Sequence, residues 1–146
     1  METRDFDNYI DELIEAPCYV IDFLPKQVPA DKGGQFFAVE SHLMKTENIS
    51  KLYEKFSSII IKLNCYYDVA LDDGTGWIEN PEPDELIGAF EKCYKRGYAN
   101  FLFPDEHTLI ALSGADLYMS LYNPSEEFRK MTALIAASEG LFVRKS

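Results

Sequence analysis

Basic residues are scarce in this chain, and over one long stretch they are missing. Lys and Arg number 14 against 25 Asp and Glu, for a formal net charge of −11. Between Lys62 and Lys92 there is no basic residue, while Asp68, Asp72, Asp73, Glu79, Glu82, Asp84, Glu85 and Glu91 all fall there. A phosphate backbone calls for clustered Lys and Arg, so nucleic acid is not an expected partner. Anionic membrane surfaces are disfavoured for the same reason. A basic protein partner fits, because uncompensated acids repel one another and set up a field that steers cations toward them.

Long apolar runs are also lacking. None approaches the roughly 18–20 residues needed to span a bilayer. The start, METRDFDNYIDELIEAP, interleaves acids with apolar residues and lacks the basic start and unbroken apolar core of a secretion signal. The expected compartment is the cytoplasm. The three cysteines agree: Cys18, Cys65 and Cys93 are far apart, odd in number, and none sits in a C-x-x-C pair. Each lies in an apolar stretch (APCYV, LNCYY, EKCYK), as small core fillers do. Only Cys93, between Lys92 and Lys95, has the basic neighbours that could activate a thiol.

Histidine chemistry has two candidates. His107 follows Asp105 and Glu106 in PDEHT, a polar turn between apolar stretches, and His42 in VESHLM has no paired ligand at helical spacing. No G-x-S-x-G elbow, Walker-type phosphate loop or G-x-G-x-x-G fingerprint occurs. The stretch DVALDDGTGWIE (68–79) superficially resembles a calcium loop. Asp68, Asp72 and Glu79 match the first, fifth and twelfth positions of an EF-hand, but Ala70 stands at the third and Asp73 at the sixth. Asp73-Gly74 is instead the dipeptide favoured by hairpin turns, and the flanks VAL and WIE suit strands. The sequence therefore implies no metal and no cofactor.

What is present is a clear alternation of periods. Helical stripes run through Phe6, Tyr9, Ile10, Leu13 and Ile14; through Ile49, Leu52, Tyr53, Phe56, Ile59, Ile60 and Leu63; through Leu86, Ile87, Phe90, Cys93 and Tyr94; and through Phe128, Met131, Leu134 and Ile135. Lys92, Lys95, Arg96 and then Gly97 are expected to close the third, with Gly97 left-handed, and Gly140 to close the fourth. Asn123 and Asn80, each before a proline, are expected to cap the fourth and third helices. Strands are expected at CYVIDFL, QFFAVE, CYYDVAL, WIEN, ANFLF, TLIALS, LYMSLY and LFVRK. The short connections within 98–122 require antiparallel pairing. The expected fold is α+β, one domain over 1–146, with a single mostly antiparallel sheet and about four helices packed mainly on one face. Leu52, Phe56, Ile60, Leu121 and Leu134 are expected to share its core.

Carboxylates inside apolar stretches are the least ordinary feature: Asp22 in VIDFL, Glu40 in FAVES and Asp68 in YYDVA. A buried carboxylate must be hydrogen-bonded or neutralised, and neighbouring ones shift each other's pKa, as general acid/base chemistry requires. These three are the catalytic or ligand-binding candidates. The partner-binding candidates are Asp72, Asp73, Trp77, Glu79 and Glu82, an aromatic set among acids.

The segments YVIDFLPKQVPADKGGQFFAVE, LNCYYD and ALIAASEGLFVRK resemble those of small uncharacterised bacterial proteins over most of the chain. The resemblance implies no activity, cofactor or site residue. In size and acidity the chain is similar to bacterial toxin-neutralising immunity proteins, without a shared motif. Two functions are therefore expected in competition: a non-enzymatic protein-interaction module with an acidic surface, or a small-molecule-binding protein or hydrolase with a carboxylate-lined pocket.

Overall fold

A computed structural model describes residues 5–114 and 116–146, with the side chains of Lys95 and Arg96 outside the described set. Seven strands, β1 (Cys18–Asp22), β2 (Ala70–Asp72), β3 (Trp77–Glu79), β4 (Tyr98–Phe103), β5 (Thr108–Ser113), β6 (Tyr118–Tyr122) and β7 (Phe142–Lys145), form one sheet. Their order is β3-β2-β4-β5-β6-β1-β7, and every neighbouring pair is antiparallel. Among the described residues, five α-helices accompany it: α1 (Phe6–Leu13), α2 (Gly33–Leu43), α3 (Thr46–Asn64), α4 (Pro83–Arg96) and α5 (Glu126–Ser138). The protein is α+β. Among the described residues no helix is long and apolar enough to cross a membrane.

Strand alternation divides the sheet into two faces. Ile21, Leu71, Phe101, Phe103, Ile110, Leu112, Met119 and Leu121 point to one of them and meet the apolar stripes of α3, α4 and α5. Leu52, Phe56 and Ile60 belong to this core, and Phe90 stacks on Phe101 at 5.0 Å between centroids. Ala70, Leu102 and Leu109 point the other way and take Phe6 and Leu13 of α1. Because α1 spans only eight residues, it covers one end of that face. Toward β6, β1 and β7 the same face leaves Tyr118 and Phe142 exposed.

Several sequence expectations need correction. QFFAVE is no strand; it forms the middle of α2. Val39 is the lone β-branched residue between Gly33 and Leu43, so little favours extension there. Phe36, Glu40 and Met44 recur at helical spacing instead. The strand expected across CYYDVAL shortens to Ala70–Asp72. Leu134 is 72% exposed, while Phe128, Thr132, Ile135 and Ala136 form the buried stripe of α5. Leu134 sits about 100° around the helix from Ile135, and Thr132 enters the core by donating its Oγ1 to Phe128 O at 2.8 Å.

The helix starts also move. Ser125, not Asn123, caps α5, its hydroxyl accepting from Phe128 N at 3.0 Å. At α4 the first turn is closed by Glu85, whose Oε1 accepts from Glu82 N at 3.0 Å. Asn80 and Asn123 both adopt positive φ, 46° and 58°, which Asn tolerates better than most residues. Each therefore turns the chain ahead of its proline, two residues before the cap. Gly140 follows α5 with a left-handed φ of 74°, whereas Gly97, expected to be left-handed, has φ −99° and simply extends into β4. Cys65, expected in the core, is exposed just past α3, and Cys18 is half-buried.

Candidate functional site

The loop between Asp72 and Trp77 closes a hairpin, with these two residues paired across it. Gly74 and Gly76, at φ 97° and 123°, supply the backbone turn that β-carbons would oppose. The carboxylates of the loop serve the turn. Asp72 is buried and accepts from Gly74 N at 2.9 Å. Asp73 accepts from Thr75 N and Oγ1 and pairs with Lys92 at 3.4 Å. The Thr75 hydrogen bond comes first among the causes that hold the Asp73 carboxyl below its ordinary value.

Trp77 is half-buried: its ring meets Phe6 edge-on at 5.1 Å and its Nε1 donates to Asp7 at 2.9 Å. It thereby fastens α1 to the sheet. Of the five partner-binding candidates, Glu79 and Glu82 are the exposed ones. Asp68, Asp84, Glu85 and Glu91 are exposed with them. The Tyr98 hydroxyl pKa is raised first by the buried Asp72, then by burial, Asp7 and Asp73.

The three strand-embedded carboxylates do not all converge. Asp68 lies beyond the end of α3, where its Oδ1 accepts from Asn80 Nδ2 at 3.3 Å, and it lines a hollow of about 260 Å³ with Glu79 and Asp105. It is nearest β2, four strand spacings from β1, or roughly 19 Å across the sheet. Asp22 and Glu40 are brought to one cleft. Both line a cleft of about 670 Å³ between α2 and the end of the sheet formed by β6, β1 and β7.

One wall of this cleft is a stripe of α2: Phe36, Phe37, Glu40, Ser41 and Met44. The opposite wall is Asp22 and Phe23 at the end of β1, Asp116, Leu117 and Tyr118 at the start of β6, and Arg144 of β7. The rings of Phe23 and Phe36 lie nearly parallel, 6.4 Å apart, and join the two walls at their base. Arg144 clamps Asp22, with Nη2 at 2.8 Å and Nε at 3.2 Å from Oδ2. Oδ1 of Asp22 accepts from Phe23 N at 2.7 Å. Among the described residues, neither Glu40 nor Asp116 has an ion-pair partner. Burial raises the Asp116 carboxyl above its ordinary value, and Asp116 is in turn the first cause that raises Tyr118.

Sequence reasoning missed Asp116 and Arg144. Asp116 sits in the short β5–β6 connection, part of which (Ala115) lies outside the described residues. Arg144 was legible as the alternate of core-facing Val143, but its partner depends on the pairing of β7 with β1.

The remaining candidates resolve locally. Cys93 is buried; desolvation, then Asp116, pushes its thiol up to about 11, the reverse of activation. His107 turns the chain at φ 51°, its Nδ1 bonded to the Tyr9 hydroxyl and its carbonyl accepting from Asn123 Nδ2 at 2.9 Å. His42 accepts from Asn48 Nδ2 at its carbonyl. Among the described residues no three His, Cys, Asp or Glu side chains are placed so that they could hold one metal ion. Compared with family models, curated proteins and solved structures, the chain matches none.

Proposed function

We propose that this protein is a non-enzymatic protein-interaction module whose partner presents a basic surface. The observation that carries the proposal is α2, an eleven-residue helix that buries none of its residues. Folded apolar helices ordinarily hide a stripe, yet Phe37 of α2 is 70% exposed, Met44 is exposed on the same side, and Val39 is exposed on another. Such a surface, on a molecule of net charge −11, suits a partner that supplies both apolar contact and positive charge. The acids from Asp68 to Glu91 supply the long-range part: six of them are exposed, and they act on the approach of the partner rather than on its final seat.

The test is affinity purification from the native cell, followed by binding kinetics with the recovered partner. A basic partner is expected, with an association rate that falls as salt is added and as Glu79, Glu82 and Asp84 are reversed to Lys. Salt-insensitive association, or an acidic partner, would refute the proposal.

A second reading, a small-molecule-binding protein or hydrolase, draws on the placement of Asp22 and Glu40 in one cleft. A cleft of about 670 Å³ falls in the range of ligand sites. Asp22 is already held by Arg144 and by a backbone amide, and no histidine or cysteine among the described residues lines the cleft. Those facts favour binding over turnover.

A further inference from the structure

The cleft joins two properties that a merely solvated hollow does not combine. Its walls are largely apolar, from Phe23, Phe36, Phe37, Met44 and Leu117, and it is open along the exposed side of α2. Set into those walls are three carboxylates, Asp22, Glu40 and Asp116, against a single cation among the described residues, Arg144. Arg144 spends its charge on Asp22. Glu40 and Asp116 are left without a counter-charge among the described residues, and Asp116 is partly withdrawn from water as well. A carboxylate in that position gains when a cation arrives, because the attraction is strongest where solvent is thinnest.

We infer that the cleft between α2 and the sheet is the docking site for a basic, amphipathic segment of the partner, which lays apolar side chains on Phe37 and Met44 and directs a lysine or arginine to Glu40 and Asp116. This rests on the interaction-module reading above and adds the place and the chemistry of the contact. The occupant follows from complementarity on both counts. An acidic segment would meet uncompensated carboxylates, and a purely polar one would leave the Phe37 ring in water. Long cationic side chains satisfy both demands, since their methylene stems cover apolar surface while the charge reaches the acid. The stripe Phe37, Glu40, Ser41, Met44 also presents its anchors at helical spacing, the geometry of a helix laid along a groove.

The experiment follows backbone amide shifts of the labelled protein during titration with synthetic peptides. The probes are a leucine–lysine peptide of helical period, the same peptide with glutamate for lysine, and a scrambled leucine–lysine peptide. The first should move the amides of α2, of 116–118 and of Arg144 saturably, and the other two should not. Phe37→Ala and Glu40→Lys should each weaken it about ten-fold or more, as loss of a central anchor does, while Glu82→Lys changes it less than about two-fold. Both substituted side chains lie on a helix without buried residues, so the fold is expected to survive them. Shifts confined to β3 and α4 would overturn this docking site and leave the basic-partner reading standing. Equal binding of the glutamate or scrambled peptide would overturn the stated chemistry. If no peptide moves any amide, the docking site and the basic-partner reading fall together.

Discussion

Arg144 reaches diagonally across the β1–β7 pair to Asp22, donating twice to one carboxylate oxygen. In the register Asp22 faces Phe142 and Arg144 faces Val20, so the two charged side chains are diagonal neighbours on one face. The pair ties β7 to β1 and so holds together one wall of the cleft.

Replacing Arg144 by Met should therefore destabilise the protein through Asp22, which would keep its burial and lose its counter-charge. With side chains 22% and 10% exposed, the pair retains some solvent. The expected loss is about 2 kcal/mol, short of the ~3–5 kcal/mol of a fully buried pair. Adding Asp22→Asn to the same variant should recover part of that loss. Urea melts of both variants decide it; an unchanged midpoint for Arg144→Met would mean that the pair is screened like a surface bridge.

Asp116 should make its own mark on pH dependence. Its raised pKa means that the folded state holds the proton more tightly than the unfolded chain does. The stability it contributes is present while it is protonated and is lost as pH rises through the raised value. Asp116→Asn should thus stabilise the protein at neutral pH. The advantage should shrink as pH falls toward the ordinary value of 3.8. Melts of both proteins between about pH 3 and pH 7 give the comparison, and a constant difference would remove Asp116 from the account.

Two apolar truncations should separate sharply. Phe56 is fully buried in the main core, and Phe56→Ala should cost ~3–5 kcal/mol. Leu134→Ala should stay within about 0.5 kcal/mol, because its side chain is mostly in water. Comparable losses in denaturant melts would contradict the placement of α5.

The thiols should divide in the same manner. Cys65 is exposed and should react with an aromatic disulfide reagent in the folded protein. Cys93, buried and with its thiol pushed up to about 11, should react only as fast as the molecule opens. Rapid modification of Cys93 in a Cys65→Ser background would show that α4 does not seal it.

The sequence by itself determined most of the elements. Helical stripes such as Leu52–Phe56–Ile60 and the short links between β4, β5 and β6 leave one class of solution, because side-chain period and loop length are local quantities. It also determined the charge of the molecule and the hairpin at Asp73-Gly74. It did not determine which acids share a cleft. Asp22 and Glu40 do so because α2 lies beside the end of β1, and Asp68 stays away because β4, β5 and β6 lie between. QFFAVE could be read either way, since a short apolar run carries no decisive period and its conformation depends on whether a strand partner exists. β1 was already flanked by β6 and β7, and the segment became the exposed helix that forms one wall of the cleft. Strand order and the pairing of distant charges are long-range matters. Only the packed tertiary structure could decide that Arg144 would neutralise Asp22 and leave Glu40 and Asp116 in the cleft without an ion-pair partner among the described residues.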